Sequence, residues 1–197
     1  MAKKKTGPSR EKKRNVTAAS GMKPATITTL IIVAVAAAAL IYLFYPDSKP
    51  KDPERDYELS IARSLGLEFK NQGSLSFLTG EGDTAVTIAV EVADDNVKRR
   101  IGMMFREKAE EKQGMLFIFP FSEIRSFWMR NTVLSLDMIF IDEQKRIVNI
   151  EKSTVPFTER SYFSTGPARY VLEVRAGFAD KYNLSAGQEV TWILNKQ

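Results

Sequence analysis

An uncharged stretch of 19 residues, positions 27–45, constrains this chain more than any other feature of its sequence. As an α-helix it would span about 28 Å at 1.5 Å per residue, close to the hydrocarbon thickness of a bilayer. Ten of its residues are Leu, Ile, Val or Phe, so insertion into a membrane is expected to be favourable. The sequence therefore predicts a transmembrane helix over residues 27–45, with the lipid bilayer as its partner.

The distribution of charge around this stretch predicts its orientation. Eight basic residues and one acidic residue precede it, whereas the residues after it carry 21 basic and 23 acidic side chains. By the positive-inside rule, residues 1–26 form a basic, disordered cytoplasmic tail, and the following domain is exported to a periplasmic or extracellular compartment. Because the basic excess belongs to the tail, no nucleic-acid partner is predicted.

A cleaved signal peptide is the alternative to a permanent anchor. The sequence Ala37-x-Ala39 resembles a cleavage site, but residues 40–45 continue the apolar run beyond it. This continuation favours an uncleaved, single-pass signal-anchor in the cell membrane. Residues 46–56 are rich in Pro and charge and predict a linker, followed by one globular domain over residues 57–197.

The chain contains neither Cys nor His. This composition excludes thiol nucleophiles, Ser-His-Asp triads and disulfides, together with the usual ligand sets for zinc and haem. Five methionines between residues 103 and 138 raise the alternative of a Cu(I) site, but adaptable side chains that fill an irregular core are the favoured interpretation. No metal and no cofactor is predicted.

Residues 57–197 show the pattern of a mainly β domain of the α+β class. Alternation from Thr84 onward predicts a half-buried strand, and Asp94 or Asp95 is expected to cap a helix that runs to Arg106. A helix is also predicted over residues 58–67. Further short segments rich in β-formers are predicted as strands, with a small helix near their end: 75–79, 115–119, 124–130, 134–141, 146–150, 168–174 and 189–194, with the helix at 178–183.

The short spacing of these segments disfavours βαβ crossovers, because a parallel connection usually needs a dozen or more residues. We therefore expect a compact, antiparallel, barrel-like or curved sheet. One or two short helices are expected to cover it.

Four motifs give the domain a family resemblance: Arg99-x-x-Gly102-Met103-Met104-Phe105-Arg106, Gly114-Met115-Leu116-Phe117-x-Phe119, Phe127-Trp128-Met129-Arg130-Asn131-Thr132-x-x-x-Leu136-Asp137, and Tyr170-Val171-Leu172-Glu173 with Gly177 and Gly187. In their order they resemble the bacterial and archaeal family called domain of unknown function 192, over about residues 85–194. Ser135 and Gln188 depart from the Pro and Asp usual in that family. The resemblance implies a small compact domain, often exported or membrane-anchored, and implies no particular activity.

The segment from Phe127 to Asp137 is the densest source of specific contacts. If residues 124–130 and 134–141 form a hairpin in which Asn131 pairs with Leu136, Arg130 lies opposite Asp137 and can form a bidentate ion pair. One interpretation is that this pair is structural, while Asn131 and Thr132 satisfy the turn. The other is that Trp128 supplies a stacking surface and its polar neighbours hold a ligand: Arg130, Asn131, Thr132 and Asp137.

Carboxylates offer a second hypothesis, a non-metal hydrolase that acts on envelope carbohydrate. Such an enzyme needs two carboxyl groups that face each other across a sugar. Asp137 and Glu173 are the weak catalytic candidates, although strand alternation alone could point Glu173 to solvent. The favoured function is a membrane-anchored extracytoplasmic domain that binds a small polar ligand or an envelope protein, with no catalysis required; an assembly factor with an apolar rim at Phe127 and Trp128 is the remaining alternative.

Overall fold

The computed structural model describes residues 24–44 and 52–195, and it divides the chain into two units between Lys51 and Asp52. The first unit contains helix α1 (Pro24–Phe44). Residues 1–23 of the predicted tail, residue 45 at the end of the predicted anchor, residues 46–51 of the predicted linker and residues 196–197 lie outside the described residues.

Helix α1 contains most of the predicted anchor, since it covers residues 27–44. Its side chains from residue 28 to residue 41 are all exposed. Within residues 24–44 and 52–195, none of the helices meets the combined length and hydropathy expected of a membrane span. The helix is thus present, and its transmembrane character is not confirmed.

The second unit contains three short helices and nine strands within its described residues. Their bounds are α2 (Pro53–Leu65), β1 (Gly73–Leu78), β2 (Thr84–Ala93), α3 (Asn96–Ile101), β3 (Gln113–Glu123), β4 (Ser126–Phe127), β5 (Leu136–Ile141), β6 (Ile147–Glu151), β7 (Tyr162–Phe163), β8 (Ala168–Arg175), α4 (Phe178–Lys181) and β9 (Val190–Leu194). The prediction of a mainly β domain is confirmed.

Helices α2 and α3 differ from their predicted bounds because of their caps. The Asp52 side chain accepts from the N–H groups of Glu54 and Arg55 with Pro53 at the first helical position, so α2 begins inside the predicted linker. Asp95 caps α3 as predicted. That helix ends at Gly102, whose φ of 51° leaves the helical region, well before the predicted end at Arg106.

Seven strands form one mixed sheet in the order β6-β5-β8-β3-β2-β1-β9, and β4 pairs with β7 in a separate two-stranded sheet. The prediction of a purely antiparallel sheet is wrong, because β2 and β3 run parallel. The physical reason is the long segment between Ala93 and Gln113, which includes α3 and gives the chain room to cross back. β2, α3 and β3 thus form the βαβ unit that the spacing disfavoured.

The sheet is curved, which is one of the two predicted forms; the other was a barrel. At one end its edges approach each other: the Val190 N–H donates to the Lys145 carbonyl at 2.8 Å, and Arg146 forms an isolated bridge with Glu189. These contacts do not continue as a ladder between β6 and β9. The sheet is therefore not a closed barrel.

The predicted hairpin over residues 124–141 is wrong. Strand β4 contains only Ser126 and Phe127 and pairs with β7, while residues 128–135 form turns and irregular backbone. Asp137 in β5 lies opposite Val174 of β8 instead of opposite Arg130. Adjacent apolar segments suggested that residues 124–130 pair with 134–141, but β5 pairs instead with β6, the strand that follows it, and with the distant β8.

The main sheet separates two cores. We call the face that carries Leu116, Ile139 and Leu172 the first face; Phe178 and Ala179 of α4 join its core. We call the face that carries Phe117 and Phe140 the second face; β4 covers it, because the Phe127 ring lies 5.0 Å from that of Phe117 and 6.1 Å from that of Phe140. A small third cluster joins α2 to α3 and the turn that follows it.

Candidate functional site

A row of side chains crosses the second face at one level of the sheet. The register places Glu91 of β2 beside Met115 of β3, Met115 beside Glu173 of β8, and Glu173 beside Met138 of β5. Paired residues of neighbouring strands share a face. Two acidic side chains are thus buried on one surface of the sheet, separated by a methionine.

Glu91 is neutralised by Arg106, from the turn after α3. The guanidinium donates to both carboxylate oxygens, at 2.8 and 2.9 Å, and both side chains are buried. The backbone N–H of Lys70 donates a third hydrogen bond, at 3.2 Å. This bidentate arrangement meets the needs of a buried carboxylate, so Glu91 is a structural group.

Glu173 is buried without such a partner. Its side chain is 4% exposed. Within residues 24–44 and 52–195, its carboxyl group has no hydrogen-bond or ion-pair partner. Burial raises the pKa of Glu173 to about 8, and the positive charge of Arg106 only partly opposes this effect. At neutral pH the group is therefore mainly protonated, and it can donate one hydrogen bond and accept another.

Glu173 lines an open cleft of about 410 Å³ between α3 and β4. Gly102 passes close above it: a Cβ at this position would lie 3.7 Å from a Glu173 carboxyl oxygen and 3.0 Å from the Phe117 ring. The remaining walls are mainly aromatic and sulfur-containing side chains and two arginines: Phe117, Phe119, Phe127, Trp128, Met103, Met104, Arg99 and Arg100.

Only two of the five predicted ligand-binding residues reach this cleft. Trp128 and Thr132 line it, and Trp128 is 44% exposed. Arg130 instead faces α2, where its guanidinium lies 3.1 Å from Glu54 and 3.9 Å from the buried Glu58. The Asn131 amide also donates to Glu58, at 2.8 Å.

Asp137 lies on the first face, away from the cleft. One of its oxygens accepts a hydrogen bond from the Ser153 N–H at 2.8 Å, and the other accepts one from the Ala179 N–H at 2.9 Å. This fully buried carboxyl group therefore links α4 and the segment after β6 to β5. Asp137 does not form the predicted ion pair with Arg130, which contacts α2 instead. It also does not face Glu173, which lies on the opposite face of the sheet. The two carboxyls of the hydrolase hypothesis therefore cannot face one substrate.

The five methionines of the central region are all buried. Met103, Met115, Met129 and Met138 belong to the core of the second face, and Met104 belongs to the small third cluster. Met103 and Met104 also line the cleft. Their packing confirms the interpretation as adaptable core side chains.

Sequence reasoning ranked Glu173 low because alternation alone leaves the side of a strand residue open. The available signal was a lone acid between Leu172 and Val174 in a strand that is apolar on both sides. Strands buried on both faces lose the alternating pattern, so such an acid must lie inside. The cover by Gly102 depends on a tertiary contact that spacing does not reveal.

One family of known proteins matches most of the second unit. A family model, DUF192, described as "Uncharacterized ACR", matches residues 77–192. That range begins in β1 and ends in β9, so it contains the whole cleft and excludes α2.

Named relatives and solved structures agree with this match. A UPF0127 protein of Pyrococcus abyssi is 32% identical over 109 residues, which are 53% of this chain and 86% of the relative. A UPF0127 protein of Thermococcus sibiricus is 31% identical over 111 residues, 55% of this chain and 68% of the relative.

Two crystal structures share the fold. One, from Sinorhizobium meliloti 1021 and described as a candidate transcription regulator, has a TM-score of 0.60 and 33% identity, and the match covers 64% of this chain and 95% of that one. The other is a protein of unknown function from Novosphingobium aromaticivorans, with a TM-score of 0.57 and 31% identity. The match covers 60% of this chain and 84% of that one.

Proposed function

The chain belongs to the DUF192 family, and from this premise we propose that it is a membrane-anchored, extracytoplasmic protein that binds a small polar ligand in the cleft above Glu173. One observation carries the proposal: a buried carboxyl group without a protein partner opens into a cleft. The Glu173 oxygens are not among the enclosed side-chain atoms without a partner, so they are open to the cleft, where a ligand can form hydrogen bonds with them.

The shape and lining of the cleft support a small ligand. Its volume of about 410 Å³ falls within the usual range for ligand pockets, which combine apolar walls with a few polar groups. Trp128 offers an exposed ring at the mouth, and Phe119 and Phe127 extend the apolar wall inward. A ligand can stack on these rings while a polar group meets Glu173.

The proposed location depends on the first unit and the sequence around it. Residues 27–45 carry no charge, helix α1 spans most of them, and its described side chains are exposed and mainly apolar. Apolar side chains on every side of a helix are stabilised by lipid, and the basic residues before the helix favour the cytoplasmic side. The cleft would then lie on the exported side.

Recognition of an envelope protein is the second candidate. Several large apolar side chains are exposed around β4 and β7, on the segments that flank the cleft: Phe121, Ile124, Trp128, Phe157 and Phe163. Exposed apolar groups of this kind are common in protein interfaces.

A thermal-shift screen of the full chain in lipid nanodiscs tests ligand binding. Sugars, glycan fragments, organic acids, nucleotides and metal ions are the probes, and a ligand at 100 times its Kd adds about 2.7 kcal/mol to the folded state. We expect at least one hit that Trp128→Ala abolishes. Phe157→Ala is the matched control, because this ring is exposed but does not line the cleft. Absence of any hit, or hits that both variants keep, would contradict the proposal.

A further inference from the structure

We propose that the ligand of the cleft is an amphipathic carboxylic acid, whose carboxylate forms a hydrogen bond with the buried Glu173 side chain while its apolar body lies against Phe119, Phe127 and Trp128. This inference rests on the proposed function and names the chemical class of its ligand. It follows from the burial of Glu173, the charge of the cleft and the aromatic wall.

The protonated state of Glu173 follows from its surroundings. The groups that flank and cover it are uncharged: Met115 and Met138 flank it on the sheet, and Gly102 lies above it. Arg106 is the nearest cation, but its guanidinium is held by both oxygens of Glu91. A carboxyl group buried in this way remains neutral and acts as a hydrogen-bond donor.

The charge of the cleft favours an anion. Arg99 donates to the Asp94 carbonyl at 2.6 Å, the Ile118 carbonyl at 2.7 Å and the Asn96 side-chain oxygen at 2.7 Å. All three acceptors are neutral, and among the described residues no acid forms an ion pair with Arg99, so its positive charge is not compensated. Arg125 forms an ion pair with Glu123 and does not line the cleft, so the positive charge in its lining that no acid compensates is that of Arg99.

The second arginine in the lining differs. Arg100 is paired with Glu54 at 3.2 Å and Glu58 at 3.3 Å, so its charge is largely neutralised. The titratable groups that line the cleft are therefore Arg99, Arg100 and Glu173. The Arg106–Glu91 pair lies outside the lining. A carboxylate fits this set, because it gains attraction from Arg99 and a charge-assisted hydrogen bond from Glu173.

Other head groups fit less well. An ammonium group would be attracted to an ionised Glu173, but it would be repelled by Arg99, and ionisation of the buried Glu173 would have to accompany binding. An amide can exchange hydrogen bonds with the protonated carboxyl but gains nothing from the net positive charge. The predicted order of affinity is therefore acid, then amide, then amine.

Three probes with one body and different head groups test this order: 3-phenylpropionate, 3-phenylpropionamide and 3-phenylpropylamine. Isothermal titration of the full chain in nanodiscs at pH 7 is expected to give a Kd for the acid at least about tenfold below that of the amide, and the weakest binding for the amine. Only the protonated protein accepts the acid, so its Kd is expected to rise about tenfold between pH 7 and pH 9.

Two variants identify the group responsible. Glu173→Gln keeps a hydrogen-bond donor that does not titrate, so it is expected to bind the acid with a Kd that no longer changes with pH. Glu159→Gln is the control, since Glu159 is exposed and does not line the cleft; it is expected to keep the tenfold change. Arg99→Gln is expected to weaken the acid about tenfold and to leave the amide unchanged.

The results separate this inference from the proposal beneath it. Tighter binding of the amine or the amide, or a Kd of wild type that is constant with pH, overturns the carboxylic-acid class. Failure of all three probes overturns it as well; a hit of another chemistry in the thermal screen, abolished by Trp128→Ala, would then still support ligand binding. No hit in either experiment overturns both.

Discussion

Two buried acidic side chains lie one residue apart in register on neighbouring strands, yet their surroundings are opposite. Asp137 of β5 faces the first core and accepts from two backbone N–H groups. Glu173 of β8 faces the second core, where no described group forms a hydrogen bond with it, and it opens into the cleft. The comparison teaches that burial alone does not distinguish a structural acid from a functional one; the set of partners does.

The difference has an energetic basis. Asp137 accepts hydrogen bonds from two backbone N–H groups and joins α4 to the sheet, so this acid contributes to folding. Glu173 provides no such link, and at high pH its negative charge opposes folding. A buried acid with a perturbed pKa that opens into a cleft is a natural contact point for a ligand.

The largest expected effect is the pH dependence caused by Glu173. Its pKa is about 8 in the folded protein against an ordinary value of 4.5, so the folded state holds a proton that the unfolded state releases. Stability should therefore fall as pH rises from about 4.5 to 8, by at most about 5 kcal/mol. Glu173→Gln should match wild type near pH 5 and exceed it at pH 9, as measured by urea unfolding. Equal slopes with pH for the two proteins would remove the contrast with Asp137.

Loss of Arg106 should sharpen the same contrast. Arg106→Met leaves Glu91 buried without its bidentate partner, which is expected to cost about 3–5 kcal/mol in urea unfolding. It also removes the cation that opposes the raised pKa of Glu173, so that pKa should move further up in the variant. An unfolding free energy within 1 kcal/mol of wild type would show that the Arg106–Glu91 pair is dispensable.

Removal of the Asp137 carboxyl should destabilise the protein. Asp137→Ala leaves the N–H groups of Ser153 and Ala179 without acceptors, for an expected loss of about 2–4 kcal/mol. The affinity of any ligand of the cleft should be unchanged, because Asp137 lies on the other face. Loss of binding in a folded Asp137→Ala protein would argue for a shared site and against the separation of the two acids.

The smallest effect is expected from Arg130, which sequence reasoning paired with Asp137. Arg130→Ala removes ion pairs with acids of α2, but Glu58 keeps Arg100 and Asn131 as partners. We expect a loss of about 1 kcal/mol in urea unfolding, with Lys108→Ala as an unpaired, exposed control. A loss above 3 kcal/mol would mean that α2 contributes far more to folding than its ion pairs indicate.

Much of the fold could be predicted from local patterns. Alternation identified β2, the apolar run identified β5, and Asp95 marked the start of α3. The motif order also predicted the family, which the match over residues 77–192 confirms. These features depend on neighbouring residues, so a sequence displays them directly.

The pairing of distant segments could not be predicted in the same way. β5 pairs with β8, about thirty to forty residues later in the chain, and that register sends Asp137 and Glu173 to opposite faces. The partner of Arg130 is α2, more than seventy residues earlier in the chain. Of the predicted site, Trp128, Thr132 and Glu173 come together because α3 and β4 both cover the second face, and this is a property of the tertiary structure.

The most direct test of the central claim is a pH titration of the side-chain carboxyl carbons by NMR, with wild type and Glu173→Gln in parallel. The account predicts one carboxyl signal that titrates near pH 8 in wild type and is missing from the variant, and that shifts when a ligand occupies the cleft. If every Glu and Asp signal titrates below pH 5, Glu173 is ionised at neutral pH and has a partner, and the cleft loses the group on which its proposed function depends.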